Sequence, residues 1–114
     1  MTVDFMSQIQ LLNGIEIAGY SGAYCTNKTV TLELHVQLPI DFPINAQTDI
    51  MTLPPSFRTR AAYFPTVAQY TDEWRLSPSR LCYGYLSPSG IFKVSVPDKN
   101  TTWINISAIY FRKV

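Results

Sequence analysis

The chain has 114 residues, a length that suits one domain and can bury a real core without metals. Its composition is 46% hydrophobic and 15% charged with a formal net charge of +1, which excludes a disordered chain. It also argues against nucleic acid as the main ligand, because phosphate binding needs concentrated Lys and Arg.

In chain order, Val3, Met6, Ile9 and Leu12 fall at roughly helical spacing, so residues 1–12 read as an N-terminal arm or linker. A short helical turn, a frayed arm or the stump of a stalk would all fit. From Thr29 to Leu38 the pattern is strict period two. Val30, Leu32, Leu34, Val36 and Leu38 are apolar, while Thr29, Thr31, Glu33, His35 and Gln37 are polar. That is a strand with one buried face, ended by Pro39. Thr48–Leu53 is a short strand stopped by Pro54-Pro55, and Ala61–Phe64 and Thr66–Tyr70 are short strands around Pro65. Gln69–Ser79 reads as an exposed loop. Arg80–Leu86, the turn Ser87-Pro88-Ser89-Gly90, Ile91–Val96, the turn Pro97–Asn100 and Thr102–Phe111 read as a three-stranded antiparallel meander. Eight prolines separate these strands, and no sustained helical period follows Gly14. The fold class expected is all-β, an antiparallel β-sandwich or jelly roll over residues 13–114.

Several chemistries have little support. Cys25 and Cys82 form no C-x-x-C pair, and with the single His35 they make no zinc set, so no metal or cofactor is expected. The two could pair as a disulfide, but as small buried side chains in a β-rich core they are expected as free thiols. No stretch approaches the roughly 20 apolar residues of a membrane span, and no leader pattern is present, so a soluble chain is expected. A catalytic triad lacks its G-x-S-x-G elbow, and Cys82 lies mid-strand, where burial disfavours a thiolate. Glycosidase chemistry needs only two carboxylates, which Glu16, Glu33, Asp72, Glu73 and Asp98 supply no more pointedly than any protein does. The sequons at Asn27, Asn100 and Asn105 matter only in a eukaryotic secretory pathway. No catalytic residue is assigned.

From Leu12 onward the order of features resembles the C-terminal head domains of receptor-binding and baseplate appendage proteins in tailed phages of Gram-positive bacteria. The matching features are Leu12-Asn13-Gly14, the alternating Val30–Leu38, and Thr52-Leu53-Pro54-Pro55-Ser56-Phe57-Arg58. They continue with Ser89-Gly90-Ile91-Phe92-Lys93-Val94 and the closing Trp103-Ile104-Asn105-Ile106…Tyr110-Phe111. Ser56-Phe57-Arg58 departs from the family's glycine-tyrosine-arginine. The resemblance implies a β-sandwich assembled as a homotrimer on the distal part of a virion tail, attached to an upstream tail or baseplate protein. It further implies host adhesion through cell-surface or cell-wall polysaccharide, without membrane insertion. Two alternatives stay open: a structural module that only trimerises or plugs the appendage, and a glycan hydrolase.

Tyr70-Thr71-Asp72-Glu73-Trp74-Arg75 offers an aromatic face, carboxylates and a guanidinium within six residues, the groups that hold a sugar ring. Equally, Trp74 anchors the loop while its charges are solvated. Arg58, Arg60, Arg75 and Arg80 are either separate surface charges or a positive rim for phosphate-bearing glycans. Tyr83 and Tyr85 share one strand face, an oligomer interface or ligand platform if outward and core if inward. His35, beside Glu33 on the polar face of its strand, is either a solvated side chain or, with Glu33, part of an oligomer interface.

Overall fold

A computed structural model describes residues 2–70, 82–97 and 103–113, with the backbone alone for Gln69 and Tyr70. Among these residues the chain forms ten strands: β1 (Val3–Asp4), β2 (Gln10–Leu11), β3 (Glu16–Ile17), β4 (Gly22–Cys25) and β5 (Thr29–Gln37), then β6 (Thr48–Thr52), β7 (Thr66–Tyr70), β8 (Tyr83–Leu86), β9 (Ile91–Ser95) and β10 (Trp103–Phe111). Two antiparallel sheets result. Sheet A runs β1-β4-β5-β10-β7, with β3 also on β5, and sheet B runs β2-β6-β9-β8. Their inner faces share one apolar core, which makes the arrangement a sandwich.

Alternation dictates the centre. On β5, Val30, Leu32, Leu34 and Val36 are fully buried, and opposite them on β10 lie Tyr110, Ala108, Ile106 and Ile104. Burying one aliphatic side chain of this size is worth roughly 1.5–3 kcal/mol, so β5 alone contributes about 6–12 kcal/mol before entropy is subtracted. That gross figure rivals the net stability of a whole domain, typically 5–15 kcal/mol. Sheet B adds Phe92 and Val94 from β9, Leu86 from β8, and Ile50 and Met51 from β6. Ile50 and Met51 are consecutive yet both buried, because the register against β9 shifts between Asp49 and Met51. A bulge at that point breaks strict alternation.

The turns follow their residues. Asn13 and Gly14 both have positive φ, 56° and 79°, and Ile15 N–H closes on the Leu12 carbonyl. This is the tight reversal that Asn-Gly favours. The Asn13 side chain then ties the turn to the Asp49 carbonyl at 2.7 Å. At the β8–β9 hairpin Gly90 sits at φ 90°, and a Cβ there would meet the Leu53 carbonyl at 2.7 Å and Arg58 Nε at 2.6 Å. Only glycine suits that position.

Three expectations are corrected. The last three strands are not a meander: β8 and β9 pair in sheet B, but β10 crosses to sheet A and inserts between β5 and β7. Hydrophobic alternation defines a strand's buried face and leaves its partner open, and the partner of β10 lies some seventy residues earlier in the chain, as Glu33 and Ser107 show. Ala61–Phe64 makes a lone bridge, Tyr63 to Leu86, in place of a strand. Finally, of the N-terminal readings the short turn is the one that forms, as a 3-10 turn at Met6–Gln8 between β1 and β2, and the arm does not. Phe5 is fully buried there, stacked on Phe57 with centroids 4.0 Å apart, and its N–H bonds the Ala23 carbonyl. Residues 3–11 therefore pair into both sheets instead of extending away as an arm.

Truncating Phe5 should cost about 3–5 kcal/mol, as for other buried aromatics. Val3→Ala, at an exposed site, should stay within about 0.5 kcal/mol. Urea unfolding midpoints measure both. Equal, small shifts would show that the N-terminal segment is not part of the core.

Candidate functional site

The outward side chains of β5 and β10 form one face on sheet A, polar at its centre and apolar at its ends. Register places Gln37 opposite Trp103, His35 opposite Asn105, Glu33 opposite Ser107, Thr31 opposite Ile109 and Thr29 opposite Phe111. Ser107 Oγ donates to Glu33 Oε2 at 2.9 Å. Asn105 Oδ1 is buried and has no hydrogen-bond partner among the described residues. Residues 18–21 lie beside this face. Ala18 N–H donates to the His35 carbonyl at 2.8 Å, and His35 N–H donates to Ser21 Oγ at 2.9 Å. A side chain at Gly19 would press on the His35 ring, its Cβ lying 3.3 Å from Nδ1.

Apolar groups collect at one end. Ile109 and Phe111 are each 64% exposed, with the Arg60 guanidinium 5.7 Å above the Phe111 ring. Tyr63 accepts a hydrogen bond from Ile109 N–H and rests its ring against Tyr110, which closes one wall of an open cleft of about 290 Å³. On sheet B, Phe64 contacts Tyr83 and Tyr85 at centroid distances of 5.9 and 5.5 Å, forming a second exposed aromatic cluster.

The residues expected to hold saccharide are distributed as follows. Asp72, Glu73, Trp74 and Arg75 lie outside the described residues, as does Arg80. The Tyr70 backbone pairs with Trp103 at one end of β10, whereas Arg60 N–H bonds the Phe111 carbonyl at the other. Eight residues of strand separate those ends, about 27 Å at 3.4 Å per residue. Arg58 serves the fold: it is half-buried against the hairpin, with Nε donating to the Leu53 carbonyl at 3.2 Å. Arg60 alone of that pair is exposed. Of the residues expected at an interface, Glu33 and His35 face outward on sheet A, two strands in from β7, while Tyr83 and Tyr85 face outward on sheet B. They belong to different patches.

Sequence reasoning does not reach Tyr20, 78% exposed, or Tyr24, whose hydroxyls stand 3.5 Å apart. Gly22–Cys25 alternates small inward residues with an outward Tyr24, but four residues are too few for that period to stand out. Among the described residues no group of three His, Cys, Asp or Glu is placed to hold a metal ion, and no helix is long and apolar enough to cross a membrane.

No family model matches the chain, and no curated protein matches it by sequence. A similar solved structure is the head domain of lactococcal phage bIL170, from work on the receptor-binding domains of lactococcal phages. The TM-score is 0.69 at 20% identity, covering 92% of this chain and 94% of that one. The appendage head-domain fold implied by the resemblance is the fold the chain has.

Burial pushes the Cys82 thiol up to about 11, and it raises the Tyr110 hydroxyl as well, with Cys25 adding to the latter. Both groups are held protonated in the folded state. The stability they supply is complete below their ordinary values and is lost as pH rises through the raised ones. Urea midpoints should therefore fall between pH 9.0 and about 11. Cys82→Ala should make that decline shallower, and an unchanged slope would remove Cys82 as a cause.

Proposed function

We propose that the chain is the receptor-binding head of a phage tail appendage, located in the virion. It holds a saccharide of the host cell surface without transforming it. The observation that carries this reading is the likeness to the phage bIL170 head domain, which extends over nearly the whole of both chains. The outer face of sheet A adds support: its centre carries hydroxyl, amide, imidazole and carboxylate groups. Such a surface suits weak contacts with a polar polymer better than enclosure of a reacting bond.

In this reading the domain works as a homotrimer attached to an upstream tail or baseplate protein. A single shallow sugar site with a Kd near 1 mM supplies only about 4 kcal/mol. Linking several sites raises overall avidity by roughly 10²–10⁴, enough for firm attachment without a deep pocket. Exposed Ile109 and Phe111 on sheet A, and the Phe64–Tyr83–Tyr85 cluster on sheet B, are apolar surfaces suited to packing between copies. These same surfaces favour a second reading, in which the domain only assembles and touches no glycan.

Light scattering of the purified chain should give three times the 12.9 kDa protomer mass. A fluorescently tagged domain should label susceptible cells, and added cell-wall polysaccharide should compete. A trimer that labels no susceptible strain would leave the assembly reading in its place.

A further inference from the structure

The strongest unassigned feature of the surface is the corner of sheet A where β4 meets β5. Gly22 pairs with Glu33, and Tyr24 pairs with Thr31. The Tyr24 ring lies back over Gly22: a Cβ at position 22 would fall 2.5 Å from the ring's Cε2. The missing side chain is what lets that ring lie along the sheet next to Glu33. Tyr20 stands on the same side, its hydroxyl 3.5 Å from that of Tyr24. The segment bearing Tyr20 is fixed at both ends to the β5 backbone at His35, through Ala18 N–H and Ser21 Oγ. The Tyr20 ring is 78% exposed and so is open to a ligand.

Two tyrosines, a carboxylate and a hydroxyl thus converge. Glu33 uses Oε2 to accept from Ser107, and the carboxylate remains exposed. This is the set of groups that grips a pyranose: an aromatic ring against the apolar C–H face, and a carboxylate accepting from ring hydroxyls. The charges nearby narrow the choice. Asp4 pairs opposite Tyr24 and Glu16 opposite Gln37, while β1, β3, β4 and β5 contain no Lys or Arg. Asp4 and Glu33, the carboxylates beside the two tyrosines, disfavour phosphate there, and the exposed cation of the same hairpin, Lys28, stands at its turn. Among the described residues the exposed arginine, Arg60, lies at the Phe111 end of β10.

We infer that Tyr20, Tyr24, Glu33 and Ser107 form a binding site for a neutral pyranose unit and not for a phosphate-bearing one. The inference rests on the adhesion reading and adds to it the place and the class of sugar.

The test uses the whole chain, labelled with ¹⁵N and titrated separately with glucose, galactose, N-acetylglucosamine and glycerol phosphate. At least one neutral sugar should shift the amides of Tyr20, Gly22, Glu33 and Ser107 with a Kd in the millimolar range, and glycerol phosphate should leave them unmoved. Glu33→Gln and Tyr20→Ala should each weaken that sugar about tenfold, the equivalent of about one good hydrogen bond or ring contact. Both positions are exposed, so spectra elsewhere should stay unchanged. Shifts from a neutral sugar that cluster elsewhere, or glycerol phosphate moving these amides, would overturn the site while leaving adhesion intact. No shift with any probe, from a domain that labels cells, also rejects the site. No shift from a domain that labels no cells rejects the adhesion reading with it.

Discussion

Everything in this fold depends on β5 and β10 lying side by side in one unbroken register. Nine residue pairs run from Thr29 with Phe111 to Gln37 with Trp103. The inward members fill the core and the outward members make the outer face, so a single constraint sets stability and surface together. A slip of one residue by β5 against β10 would turn Leu32 and Leu34 to solvent and drive Glu33 inward. The free-energy difference is large enough to leave no competing register. Buried apolar side chains at several kcal/mol per strand decide the matter, and the Ser107–Glu33 hydrogen bond, exposed and worth about 1–3 kcal/mol, only follows.

The same constraint separates parts of the surface. Because β10 is nine residues long, whatever sits by Trp103 is kept far from whatever sits by Phe111. Arg60 and the exposed apolar pair Ile109 and Phe111 belong to one end, and the backbone of Tyr70 belongs to the other. Glu33 and His35 lie between them, beside the pinned segment 18–21. The scaffold therefore offers several small, chemically different patches in place of one cleft. A protein that attaches through many weak contacts gains from that arrangement, since each patch can serve a ligand or a neighbouring copy without reshaping the core.

What the sequence made legible, and what it hid, follows from the range of the forces involved. Alternation over Thr29–Leu38 identifies the inner and outer faces of β5 directly, since burial alone fixes it. Ser87-Pro88-Ser89-Gly90 and Asn13-Gly14 mark their turns because their conformations demand those residues. The fate of β10 was hidden: hairpin proximity suggests β9 as its partner, yet sheet A held the vacancy between β5 and β7. The N-terminal pattern misled for a related reason. Val3, Met6 and Ile9 show helical spacing, but the buried anchor is Phe5, which docks on Phe57 far along the chain. On the surface, Arg58 and Arg60 look alike in sequence, and only the hairpin carbonyl of Leu53 distinguishes the structural arginine from the exposed one. Tyr20 and Tyr24 carried no periodic signal, and the Tyr24 ring takes its place because Gly22 beneath it has no side chain.

Amide hydrogen exchange, read residue by residue, tests the primacy of the β5–β10 pairing most directly. The amides of Val30–Val36 and Ile104–Tyr110 that bond across this pair should be the slowest in the chain and should exchange together, at the rate set by global unfolding. Exchange of β10 through a local opening, with β5 still protected, would contradict the account and place the organising element elsewhere.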